Sequence, residues 1–202
     1  MERPGMRWGN LFDDLEGQLE QELEAEDVDF RAEEERLRLG RLSLRDRLLA
    51  LQRSGAGDGT VALLVAGTRL AVRPVSIGKD WLSGDLIDGS ARRAQCVVPL
   101  SSVGGILLDR DQVRASLDPL PEEAAPQLSA RLGLAFVLRD LCRRRRTVEL
   151  VTTSGTITGT IDRVGRDHLD LAEHSIDAAR RESAVTRYRV LPFAELLYLR
   201  LF

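Results

Sequence analysis

The sequence predicts a mainly β chain with helices, in which a helix followed by a small strand-rich barrel occurs twice behind an acidic helical head. Three observations carry this. Four blocks recur in order: VSIGKDWLSG (Val75 to Gly84) is answered by DRVGRDHLDL (Asp162 to Leu171), and CVVPLSSVGGILL (Cys96 to Leu108) by RVLPFAELLYLRL (Arg189 to Leu201). Upstream, RLGRLSLRD (Arg38 to Asp46) resembles RLGLAFVLRD (Arg131 to Asp140), and AGT (Ala66 to Thr68) resembles SGT (Ser154 to Thr156). The period, about 87 residues, is too long for a solenoid and right for a small domain. Short apolar runs bounded by Gly, Pro and Asp mark strands, and acids opposite an apolar stripe mark the head.

Residues 1–29 form the acidic amphipathic head. Trp8, Leu11, Phe12, Leu15 and Leu19 recur at helical spacing, with Asn10 as N-cap. Residues 30–116 hold the first helix and barrel. That helix is expected from Phe30 to Gln52, with Leu37, Leu44, Leu48 and Leu51 near one stripe. Its first half is charged nearly all round, so it pairs acids with Arg at i,i+4 or stands in solvent. SGAGDG ends it. Strands follow in VALLVAG, RLAVRPVSI, WLSGDLID and QCVVPL, where Pro74 and Pro99 favour edge or strand-start positions. LDPLPEEAAP, with three prolines, makes 117–126 a linker. Residues 127–202 repeat the unit. A helix runs from Gln127 to about Arg145, followed by strands in TVELVTT, TITGTIDRV, HLDLAEH, VTRYRVLP and ELLYLRLF. Ser175 to Val185 is a polar loop between them.

Charge is unevenly placed. Residues 1–50 carry 8 Arg against 14 acids, and residues 126–202 carry 13 Arg against 9. An acidic head and a mildly basic tail imply separate partners, or a head that folds back. No run approaches the roughly 18 apolar residues of a membrane span, and no apolar leader is visible. Cys96 and Cys142 have no metal-binding spacing and read as reduced apolar residues, so the expected location is cytoplasmic.

The second unit resembles the Sm-like family of Sm, Lsm and Hfq proteins. The first Sm motif reads VELVTTSGTITGTIDRVGRDHLDL, from Val148 to Leu171, and the second YRVLPFAELLYLRL. The resemblance implies an N-terminal helix and five bent antiparallel strands closing a barrel, hence two such barrels in tandem. It puts Gly155 at the hairpin turn and Gly159 at the strand bend, where a Cβ is unwelcome. Asp167 falls on the family's Asp, and IGKDWLSG copies the same turn with Asp80. Asp170 stands where RNA-binding members carry Asn, and Val190 to Phe193 replace their Arg-Gly.

Candidate sites follow. Arg139, Arg143, Arg144, Arg145, Arg146 and Arg166, with His168, would make a phosphate-gripping patch for RNA or DNA. The same arginines would otherwise close a helix C-terminus or pair with the head. His168 is a ligand contact or a structural side chain; DHLDLAEH offers no third metal ligand, and no nucleophile motif is present. The Trp8 to Leu19 stripe either covers a barrel or docks on a protein partner. Unpaired barrel edges imply self-association or a protein partner, because open strands pair, either within the chain or between chains. The expected function is therefore a non-enzymatic scaffold or adaptor without cofactors, the alternative a divergent nucleic-acid-binding regulator.

Overall fold

The computed structural model describes residues 19, 27–89, 94–120, 128–176 and 184–201. The chain divides into two compact units, Met1–Leu42 and Ser43–Phe202. In the first unit, residues 27–41 form helix α1, exposed almost throughout. Arg31–Asp27, Arg36–Glu33 and Arg38–Glu35 pairs lace its surface, as its charge pattern implies.

The second unit contains α2 (Leu44–Ser54), β1 (Val61–Val65), β2 (Thr68–Ile77), β3 (Trp81–Leu86), β4 (Gln95–Pro99), β5 (Val103–Leu107) and α3 (Arg110–Leu117). After these come α4 (Leu128–Arg131), α5 (Leu134–Arg143), β6 (Thr147–Thr152), β7 (Gly155–Val164), β8 (His168–Glu173), β9 (Arg187–Pro192) and β10 (Leu196–Leu201). The single helix expected from Phe30 to Gln52 is broken at Leu42 and Ser43. Ser43 accepts from the Asp46 N–H while Asp46 accepts from the Ser43 N–H, a reciprocal box that starts α2 afresh. The helix expected from Gln127 to Arg145 breaks likewise at Leu132 and Gly133, the N-cap of α5. Helix α3, absent from the sequence expectation, begins with the same device, Asp109 with Gln112.

The duplication is visible in the hydrogen-bond register. Each half orders its strands alike, β5-β1-β2-β3-β4 and β10-β6-β7-β8-β9. Val72 faces Leu86 where Gly159 faces Glu173, and Ile77 faces Leu82 where Val164 faces Leu169. A bulge falls between Pro74 and Ser76 and again between Ile161 and Arg163. Pro74 is therefore not on an edge strand; it sits at the bulge of a central one, where a missing N–H is tolerated. Helix equivalence follows burial: Leu48 and Leu51 match Leu138 and Leu141, and the left-handed residues just beyond are Gly55 and Arg145. Leu44 therefore answers Leu134, one turn away from the RLGRLSLRD and RLGLAFVLRD match.

The halves are not two separate closed barrels. Their ten strands form one open antiparallel sheet. β4 pairs with β10 through Val97–Leu199, Cys96–Arg200 and Gln95–Leu201. The reason is edge chemistry: β4 and β10 would each leave a row of backbone donors and acceptors unpaired, and joining satisfies both. Side chains cross the joint too. Tyr198 of the second half is buried with the first core, and Trp81 and Val97 of the first half with the second.

Candidate interaction surface

The joint is built around the turn from Gly78 to Trp81. The Gly78 N–H donates to the Trp81 carbonyl at 2.8 Å, closing the turn. A Cβ on Gly78 would lie 2.2 Å from the indole nitrogen, so only glycine lets the ring fold over the turn. The turn then holds the entrance of α5. The Lys79 N–H and Trp81 Nε1–H donate to the Leu132 carbonyl at 3.1 and 2.9 Å. The Asp80 carboxylate accepts the Leu134 N–H at 2.7 Å. Gly133 has no side chain to cap α5, and Asp80 does so from the other half, satisfying an orphan donor with a charge suited to a helix start. Ser102 Oγ–H donates to the Leu197 carbonyl at 2.6 Å, a further bond across the joint.

The second half repeats this turn, and among the described residues it caps no helix start. Gly165 N–H donates to the His168 carbonyl at 2.9 Å, and Phe193 N–H to the Asp167 carbonyl at 2.8 Å, as Leu100 N–H does to Asp80. His168 replaces Trp81 and folds over Gly165. Asp167 is 85% exposed and meets His168 Nδ1 at 2.8 Å. That hydrogen bond holds the Asp167 carboxyl below the usual carboxylate range. Beside the turn, β9 is an edge strand with Tyr188 and Val190 exposed. At the other end of the sheet β5 is the edge, with Leu107 exposed. Sequence reasoning missed these apolar edge residues. The alternation of Tyr188 and Val190 with arginines was the available signal.

The arginines gather only in part. Arg139 donates to the Gly165 carbonyl at 3.3 Å, which places it beside the turn carrying exposed Arg166. Arg143 and Arg144 both pair with Asp140, whose carboxyl they hold low against the opposing effect of burial. Arg144, Arg145 and Arg146 close the end of α5 by donating backbone N–H bonds to Asp140, Cys142 and Leu141. The helix-end role is thus present in the backbone, and Asp140 compensates Arg143 and Arg144 locally.

The residues of DHLDLAEH do not converge. Asp170 pairs with Arg163 at 3.6 Å. His174 is buried, with Nε2 2.8 Å from Thr160 Oγ1 and Nδ1 2.8 Å from the Ser175 carbonyl. Among the described residues no group of three or more His, Cys, Asp or Glu side chains is placed to hold a metal ion. Gly155 turns between β6 and β7 with φ of 125°. Gly159 runs so close to β8 that a Cβ would lie 2.2 Å from the Ala172 carbonyl oxygen. Trp8, Leu11, Phe12 and Leu15 lie outside the described residues; Leu19 is helical and 58% exposed. No helix among the described residues is long and apolar enough to cross a membrane.

Set against known protein families, curated proteins and solved structures, the chain matches none.

Proposed function

We propose that the chain is a non-enzymatic cytoplasmic scaffold built on two Sm-like units that share one open sheet, and that its ligand is a protein. The observation that carries this is β9: a strand with no neighbour on one side among the described residues, bearing Tyr188 at 62% and Val190 at 66% exposure. A free row of backbone donors and acceptors next to uncovered apolar side chains is the chemistry of strand addition, in which main-chain bonds give affinity and side chains give choice. The strand order within each half, the bulged second strand and the preceding helix support the Sm-like reading.

Nucleic acid is the second reading, favoured by one observation. The Arg139 bond to Gly165 brings that guanidinium beside Arg166 and the His168 turn. Against it, Asp140 occupies Arg143 and Arg144. Fluorescence anisotropy with a labelled single-stranded RNA, at about 50 mM salt and upward, separates the two. The scaffold reading expects no binding. Binding whose log K falls by about 0.7 per phosphate contact per decade of salt, and which Arg139→Ala with Arg166→Ala weakens, would replace it with the nucleic-acid reading.

A further inference from the structure

We propose that the first half binds a small organic acid, a single carboxylate on a flat apolar body, in a cleft bordered by β1, β2, β5 and the start of α3. The cleft lies at the far end of the sheet from β9, so this site stands apart from the protein-binding reading and does not depend on it.

The walls are parts that distinguish the first half from the second. The turn at Ala56–Gly59 and helix α3 have no counterpart among the described residues of the second half. The two meet through Gln112, which is buried; its side chain donates to the Thr60 carbonyl at 2.9 Å and accepts the Asp109 N–H at 3.2 Å. A Cβ on Gly57 would lie 2.1 Å from Gln112 Nε2, and Gln112, held by both ends of its amide, cannot step aside. Glycine at that place, with φ of 65°, lets the turn close on the side chain. With β1, β2 and β5 these parts border an open cleft of about 700 Å³, inside the roughly 300–1,000 Å³ of small-molecule sites.

The floor differs from its counterpart in the same direction. Across β5, β1 and β2, Leu107, Ala62 and Ala71 stand opposite one another in a row. The same row in the second half is Arg200, Glu149 and Thr158, where Arg200 and Glu149 pair at 3.4 Å. One copy of the unit fills this place with an ion pair; the other lays two methyl groups and a leucine side by side, a flat apolar bed. At the rim stands Arg69, two residues from Ala71 and so on the same face of β2. It is exposed and has no ion pair or side-chain hydrogen bond among the described residues. Its counterpart is Thr156. The other charged lining residue, Asp109, is committed to the start of α3, where it accepts the Gln112 N–H at 2.8 Å. One unengaged guanidinium beside one engaged carboxylate suits a ligand of single negative charge, which the guanidinium fork grips through two parallel bonds. A phosphate dianion would lack a second cation. Scattered surface apolar residues would not come with a cation and two walls of their own.

Cinnamate, a flat apolar carboxylate, is the probe, titrated into the isotope-labelled full chain while its amide resonances are followed. The expected result is saturable shifts gathered on Ala62, Ala71, Leu107 and Gln112, with a dissociation constant below about 5 mM, the scale of a fragment this small. Arg69→Gln, a change at an exposed site, should weaken binding at least about tenfold, and so should exchanging the acid for neutral cinnamamide, because each removes one partner of a charge-assisted bond. Ala62→Glu with Leu107→Arg writes the ion pair of the second half into the first and should abolish the shifts. Should that chain not fold, Arg69→Gln decides alone, its amide spectrum away from the cleft showing that the fold is kept. A dissociation constant above about 5 mM overturns the proposal, as do shifts gathered elsewhere on the chain. Arg69→Gln binding as tightly as the parent, cinnamamide binding as tightly as cinnamate, or a folded Ala62→Glu, Leu107→Arg chain that still binds would each overturn it too.

Discussion

Asp80 and Asp167 occupy the same place in the same turn, yet their surroundings differ. Asp80 accepts the Leu134 N–H and closes the α5 start; Asp167 stands in solvent beside His168. Replacing a capping acceptor typically costs about 1 kcal/mol, whereas an exposed pair contributes little. Asp80→Ala should therefore lower the urea midpoint clearly, and Asp167→Ala should leave a single chain nearly unchanged. Equal losses would show that the turn, and not the helix it holds, is what the carboxylate supports. Cys96 lies in the joint opposite Arg200, and burial pushes its thiol up to about 12. An unfolded thiol ionises near 8.5. The folded chain thus keeps its proton longer than the unfolded one, so this contribution is complete below about pH 8.5 and fades as pH climbs towards 12. Measured against wild type between pH 8 and 11, Cys96→Ala should flatten the alkaline fall in stability. An unchanged slope would mean that the thiol is not shielded.

At the level of elements, the strand bends are made differently in the two halves. In the first, Gly84 on β3 lets β2 approach, its absent Cβ avoiding the Arg73 carbonyl oxygen. In the second, Gly159 on β7 serves against Ala172 on β8. The glycine has changed strand while the close approach has stayed, which shows that the repeat preserves shape more than letters. Gly159→Ala must push backbone against backbone and should destabilise by about 1–3 kcal/mol, read as a lower urea midpoint at an unchanged slope. Little change would mean that the sheet can splay there. The helix breaks teach a related lesson. LSLRD carried its capping box in plain view, Ser43 with Asp46, but the continuing leucine spacing outweighed it and suggested one long helix. In LDRDQV the Asp109–Gln112 box was equally legible and was masked by its place behind a strand.

For the molecule as a whole, the shared cores matter most. Tyr198 sits in one core and Trp81 with Val97 in the other, each contributed by the opposite half. Neither half can open without exposing apolar surface of its neighbour, so residues 43–202 should unfold in one cooperative step. Tryptophan fluorescence, which reports Trp81 among the described residues, and far-ultraviolet circular dichroism should give the same urea midpoint. Two separated transitions would show that the halves are autonomous and that the joint is weak. By itself the sequence determined the duplication, every strand but β5 with their order along the chain, and the glycine turns, because these rest on local periodicity and residue chemistry. It also placed Asp80 and Asp167 in matching turns. Only the tertiary structure decided that the halves merge into one open sheet, that Asp80 caps a helix of the other half, and that β5 and β9 end the sheet among the described residues. The physical reason is that strand edges join through backbone groups identical in every residue. Which edge finds which partner is settled by the packing around it, and that packing leaves only a faint mark on the letters.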